Sequence, residues 1–176
     1  RIELGTAPDQ PGRTRGLPDV RVADLIHMIQ KLLAEPGHTA DVYRLAEELP
    51  ADSQQVLDLT EAAELLGLAV LAEGDITLTP LGETLAQTRT AAQREILATR
   101  MRKLPLLEWF LRMLDAADRH RMEEDVALAA LGLAFPPDEA RRQLDLIIEW
   151  GRYAELLEYA GGAIIREPRD EEDSGA

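Results

Sequence analysis

One pattern occurs twice in this chain, and it limits what the chain can fold into more than any other feature. The middle reads Leu65-Leu66-Gly67-Leu68-Ala69-Val70-Leu71-Ala72-Glu73-Gly74-Asp75-Ile76-Thr77-Leu78-Thr79. The end reads Glu149-Trp150-Gly151-Arg152-Tyr153-Ala154-Glu155-Leu156-Leu157-Glu158-Tyr159-Ala160-Gly161-Gly162-Ala163-Ile164-Ile165. Each copy closes an apolar-periodic helix with a glycine, then places two short apolar runs on either side of a glycine turn. That order is the helix-then-hairpin ending of a winged helix, and two copies imply a tandem.

A winged helix raises the question of DNA, and the charge speaks against it. The formal net charge is −14 over 176 residues. Neutralising phosphates needs clustered Lys and Arg, whereas an acidic surface repels phosphodiesters and anionic lipid alike. The chain has no cysteine, which removes disulfides, thiolate catalysis and cysteine-ligated metals and suits a reducing compartment. No apolar run approaches the roughly 18–20 residues of a membrane span, and no signal peptide is visible. The polar opening without Met suggests the C-terminal part of a longer protein.

Five segments are expected. Residues 1–18, rich in Gly and Pro, form a linker or arm. Residues 19–90 form a first winged-helix unit, with helices over about 21–34, from a cap at Thr39 or Asp41 to about 49, and over about 52–66. Its wing pairs 69–72 with 76–79, and Pro80 starts an exit helix. Residues 91–104 form a connecting helix. Residues 105–167 form the second unit: a helix from Pro105, a polar loop over 115–121, a short helix over 122–131, and a long helix from Pro137 closed by Gly151. Residues 168–176 form an acidic disordered tail. The fold class is therefore mostly α, a tandem winged helix with a helical connector.

Several strings in this layout resemble a known family. They are Leu17-Pro18-Asp19-Val20-Arg21-Val22-Ala23-Asp24-Leu25-Ile26, Gly74-Asp75-Ile76-Thr77-Leu78-Thr79-Pro80-Leu81-Gly82, Pro105-Leu106-Leu107, and Asp145 followed by Glu149-Trp150-Gly151-Arg152-Tyr153-Ala154-Glu155-Leu156. Together they resemble the AAA-associated C-terminal domain, which follows the nucleotide-binding domain in some ATP-binding proteins of nitrate/sulfonate/taurine-type ABC transporters. The resemblance spans roughly residues 18–167, and Trp150 to Glu155 is its most specific string. It implies a regulatory or assembly appendage of a transporter ATPase, cytoplasmic and near the membrane only through the transporter. It implies no catalytic residue of its own. No G-x-x-x-x-G-K-[ST] occurs, and the only lysines are Lys31 and Lys103.

Candidate chemistry is sparse. For DNA readout the helix over 52–66 offers only Gln54 and Gln55 beside Asp52, Asp58, Glu61 and Glu64. In the long helix of the second unit, Arg141 and Arg142 are outnumbered by acids and are expected to pair with carboxylates three or four residues away. His27, His38 and His120 lack metal-ligand spacing, and the acids after His120 suit a helix start, so no metal is expected. No cofactor is implied. Ser53 and Ser174 have no evident base, so catalysis is not expected.

Two groups remain as interaction candidates. Trp150, Gly151, Arg152 and Tyr153 form the family string; they are expected mainly to pack, with Arg152 bridging to Asp145, Glu149 or Glu155. If Trp150 or Tyr153 were exposed beside Arg152, they would be interface anchors. Arg94, Arg100, Arg102 and Lys103 form the most basic stretch, the best local site for an acidic partner. The expected role is a non-enzymatic protein–protein module, docking on the ATPase domain or on a second copy. The runner-up is a transcription regulator that binds duplex DNA, and a small-molecule sensor with a pocket between the units is a third possibility.

Overall fold

The computed structural model describes residues 15–166. Most of the expected arm and the whole acidic tail lie outside the described residues. At the start of the described chain Leu17 and Val20 are each only 4% exposed, so the last residues of the expected arm belong to a core. The chain forms two units, Gly16–Lys103 and a second that begins its helices after Leu104. Both are mostly helical and each carries one small antiparallel sheet.

In the first unit, α1 (Val22–Leu33) buries Leu25, Met28, Ile29 and Leu32 along one stripe, the spacing of an amphipathic helix. A 3-10 turn over Pro36–His38 leads to β1 (Thr39–Asp41). The Asp41 carboxylate accepts from the Arg44 amide at 3.0 Å and so caps α2 (Val42–Glu48). α3 (Ser53–Leu65) opens on a capping box. There the Asp52 side chain accepts from the Gln55 amide at 2.8 Å, and the Gln55 side chain accepts from the Asp52 amide at 2.9 Å. Gly67, with φ +73°, turns the chain out of α3.

β2 (Ala69–Ala72) and β3 (Asp75–Leu78) then form a hairpin. Its two-residue turn places Glu73 at φ 52° and Gly74 at φ 84°, the left-handed pair that matches strand twist. β1 pairs with the other edge of β3, opposing Ala40 to Ile76. The Thr79 hydroxyl caps α4 (Pro80–Gln87) through the Gly82 amide at 3.1 Å. α5 (Thr90–Met101) corresponds to the expected connector, and it belongs to this unit. Gln93 donates to the Leu85 carbonyl at 3.2 Å, and the Arg100 Nε donates to the Leu66 carbonyl at 2.8 Å, tying α5 to α4 and to the end of α3.

The second unit repeats the plan. α6 (Pro105–Ala116) is followed by a 3-10 turn over Asp118–His120, β4 (Arg121–Glu123), α7 (Glu124–Leu131), α8 (Pro137–Tyr153), β5 (Glu158–Ala160) and β6 (Ala163–Ile165). The strand orders are β1-β3-β2 and β4-β6-β5, the same topology. Left-handed residues recur before the first strand of each sheet, at Gly37 and His38 and again at Arg119 and His120. A main-chain latch also recurs. The Val42 amide donates to the Gly74 carbonyl at 2.9 Å, and the Glu124 amide to the Gly162 carbonyl at 3.0 Å. Each latch ties the start of the second helix to the tip of the hairpin.

Four details depart from the sequence reading. Residues 121–123 form a strand rather than the end of a loop and the first turn of a helix, because they have a partner strand far along the chain in β6. The second hairpin strand lies at 75–78, one residue earlier than expected. Ile148, which the helical stripe with Leu144 and Ile147 predicts to be buried, is only half-buried, while Leu146 is buried. Gly151 does not close its helix: α8 continues through it to Tyr153, and the left-handed turn residue is Glu155, at φ 57°. Gly151 serves space instead, since a Cβ there would stand 2.6 Å from the Leu157 Cγ.

Candidate functional site

The third helix and hairpin of each unit define a comparable surface, and the repeat aligns the two residue by residue. Leu68 donates to the Ala63 carbonyl just as Leu156 donates to the Gly151 carbonyl, each at 2.8 Å. Leu71 opposes Ile76 as Tyr159 opposes Ile164. Gly67 and Glu155 take the same left-handed turn. This register pairs Ser53 with Arg141, Leu57 with Asp145, Glu61 with Glu149, Glu64 with Arg152, and Val42 at the latch with Glu124.

In the second unit these positions line an open cleft of about 330 Å³, formed by Glu124, Arg141, Asp145, Ile148, Glu149, Arg152 and Tyr159. Arg141 joins two of its acids, with its Nη2 2.5 Å from Glu124 and 2.7 Å from Asp145. The Tyr159 hydroxyl donates to the other Glu124 oxygen at 3.1 Å. The Arg141 hydrogen bond, reinforced by that of Tyr159, holds the Glu124 carboxyl below the usual carboxylate range. Asp145 and Glu124 raise the Arg141 guanidinium pKa, and Glu124 raises that of the Tyr159 phenol. The charges of this cleft are thus largely satisfied among themselves.

The expected arginine pairings follow the geometry. Arg141 meets Asp145 one turn on, and Arg142 lies 3.6 Å from Glu139 one turn back. Neither forms part of a positive stripe. Arg152 lies 3.7 Å from Glu158, a partner on β5 outside the three acids expected for it. Of the family string, Trp150 is fully buried and Gly151 buried, while Tyr153 is half-buried and Arg152 exposed. Trp150 therefore packs the core of its unit, and of the four only Arg152 is exposed, beside Glu158.

The basic stretch does not form one open patch. Arg100 is committed to the Leu66 carbonyl and lies against Gly67. Arg94 and Arg102 are half-buried, and Lys103 is exposed. His38 Nδ1 lies 2.8 Å from Glu83, and among the described residues no three His or carboxylate groups converge as a metal would need. Among the described residues no helix is long and apolar enough to cross a membrane.

The first unit's surface differs sharply. From α3 through β3 it carries Asp58, Glu61, Glu64, Glu73 and Asp75 and no Lys or Arg. Its exposed large apolar residues include Leu57 at 50% and Leu71 at 37%. Neither leucine belongs to an interaction motif in the sequence. One signal was available: Leu57 stands off the stripe of Val56, Leu59, Ala63 and Leu66 that fills the core.

The fold is thus a duplicated helical module that presents helix-and-hairpin faces rich in carboxylates. Its sequence belongs to a defined family of such domains. A family model for the C-terminal AAA-associated domain matches residues 43–160, more than half of the chain and parts of both units, so the chain belongs to that family. No curated protein and no solved structure matches the chain.

Proposed function

We propose that this domain is a non-enzymatic regulatory or assembly module of an ATP-binding protein of an ABC transporter, of the nitrate/sulfonate/taurine type. Family membership makes it a domain that accompanies an ATPase. The transporter type rests on the motif resemblance. Each unit is a winged helix: three helices, then a hairpin joined by a strand from between the first two helices. The ATPase domain, on the cytoplasmic side of the membrane, is the partner. Docking on it, or on a second copy, changes how often the ATP sites close, because a surface contact that differs between two states shifts their populations.

The observation that carries a protein partner over DNA is the charge of the third-helix faces. α3 and its hairpin bring five carboxylates and no cation to the surface that a winged helix would use in the groove. In α8 each arginine of the face has a carboxylate nearby.

The test compares ATP hydrolysis by the full ATP-binding protein with and without this region, and titrates the domain with mixed-sequence duplex DNA at low salt. A several-fold change in hydrolysis on deletion, with no DNA binding, supports the proposal. Tight DNA binding with a steep salt dependence would replace it with gene regulation.

A further inference from the structure

Resting on the protein–protein reading above, we propose that the α3–β2 face of the first unit is the docking surface for a basic amphipathic helix of the partner, with Leu57 and Leu71 as its apolar floor.

The argument begins with the repeat. Positions 57 and 71 correspond to Asp145 and Tyr159, which line one cleft in the second unit. In that unit the surface closes on itself: Arg141 joins Asp145 to Glu124, and Glu124 takes the Tyr159 hydroxyl. In the first unit the same scaffold carries two leucines instead, and Val42, at the position of Glu124, is buried. Leucines cannot form such a network, and water is a poor partner for them. Leu57 is half-exposed although α3 could have kept a polar residue there, as it does at the neighbouring Gln54 and Asp58.

Strand alternation separates this face from other exposed apolar groups. Leu71 opposes the buried Ile76 and lies on the helix-facing side of the sheet with Ala69 and Leu78. Val70, although 52% exposed, opposes Thr77 and lies on the other side. The floor is therefore Leu57 and Leu71, between α3 and the hairpin.

Charge then selects the occupant. Asp58, Glu61 and Glu64 lie along α3 at helical spacing beside Leu57, and Glu73 forms the hairpin turn. Arg44 is engaged with Glu35 at 2.8 Å, and Arg100 with the Leu66 carbonyl at 2.8 Å. Two such faces brought together would oppose carboxylates to carboxylates, which disfavours a second copy. Phosphate-bearing partners are repelled for the same reason. A helix with apolar residues at i, i+3 or i+4 and flanking Lys or Arg satisfies both the leucines and the acids.

The probe is a labelled helical peptide of about 14 residues built from Leu and Lys, with a Leu/Glu peptide of equal length as its counterpart. Anisotropy is followed with the full chain at low salt. The Leu/Lys peptide should bind and the Leu/Glu peptide should not. Leu57→Asp should weaken binding about tenfold or more, and so should the pair Glu64→Lys and Glu73→Lys. Leu133→Asp, at an exposed leucine of the second unit, should change nothing.

Leu57→Asp makes the face more acidic, so unchanged or tighter binding would show attraction by charge alone and overturn the proposal. Absence of binding by the unaltered chain would also overturn it, as would a dimer in sedimentation that Leu57→Asp disperses. Circular dichroism melting confirms that each variant is folded. In the full ATP-binding protein, Leu57→Asp should reproduce the effect of deleting the region on hydrolysis. A deletion effect without a Leu57→Asp effect would reject this surface and leave the regulatory role standing. No deletion effect would reject the role itself.

Discussion

A Cβ on Gly82 would lie 2.0 Å from the carbonyl oxygen of Leu68, closer than any real contact. That oxygen already accepts the Thr79 amide at 3.0 Å, so main chain meets main chain where the first turn of α4 lies against the connection between α3 and β2. Gly82 belongs to the string Leu78-Thr79-Pro80-Leu81-Gly82, whose glycine is thereby a packing requirement.

Gly82→Ala is expected to destabilise the first unit. Alanine is favoured in a helix by about 1 kcal/mol over glycine. Forcing a methyl into close-packed backbone costs about 1–3 kcal/mol or more, and here nothing flexible can yield. The net loss, read from urea unfolding, should exceed that of Gly151→Ala. There the obstructing group is the Leu157 side chain, which can move, and Leu157→Ala should relieve the loss.

Glu73→Asn should stabilise the first hairpin by about 0.5–1 kcal/mol, since Asn tolerates the left-handed region that Glu73 occupies ahead of Gly74. Thermal melting of the two proteins checks this, and a lowered midpoint would contradict it.

Asp52→Ala removes one half of the capping box and should cost about 1 kcal/mol, read as a lower urea midpoint with an unchanged slope. Asp52→Asn should recover most of it.

The Glu124 network predicts opposite behaviour at the two ends of the pH scale. The carboxyl is held below its ordinary value by Arg141 and then by Tyr159, so its contribution to stability is present above the unfolded carboxylate range. It is lost as pH falls through the depressed value. The Tyr159 phenol is raised by its bond to Glu124, so that contribution is full below the unfolded tyrosine value of about 10 and is lost as pH rises through the elevated one. Carboxyl titration by NMR should show the Glu124 value rising in Arg141→Met. No rise would refute the pairing.

The sequence carried the helices well, because their periodicity and caps are local. The α1 stripe, the Asp52–Gln55 box and the Gly67 turn are each written in residues that lie close together in the chain. The strands β1 and β4 were not, since three residues such as Arg121–Glu123 become a strand only through a partner about forty residues away. Gly151 misled because glycine after an apolar helix usually marks an end, whereas here packing against Leu157 requires it and Glu155 takes the turn. Helical spacing points Arg152 to acids nearby in the chain, yet its neighbour is Glu158 across the turn into β5. At the interaction surface the acidic bias was legible. The role of Leu57 was not, because a single apolar residue beside a core stripe shows its exposure only once the helix is placed.

The latch between helix and hairpin tip joins peptide groups, with Val42 bound to Gly74 in one unit and Glu124 to Gly162 in the other. A tether made of main chain is indifferent to the side chains it carries. A valine and a glutamate can therefore occupy the same corner of the same frame, and the chemistry displayed there can be rewritten from oily to ionic while the frame stays as it is.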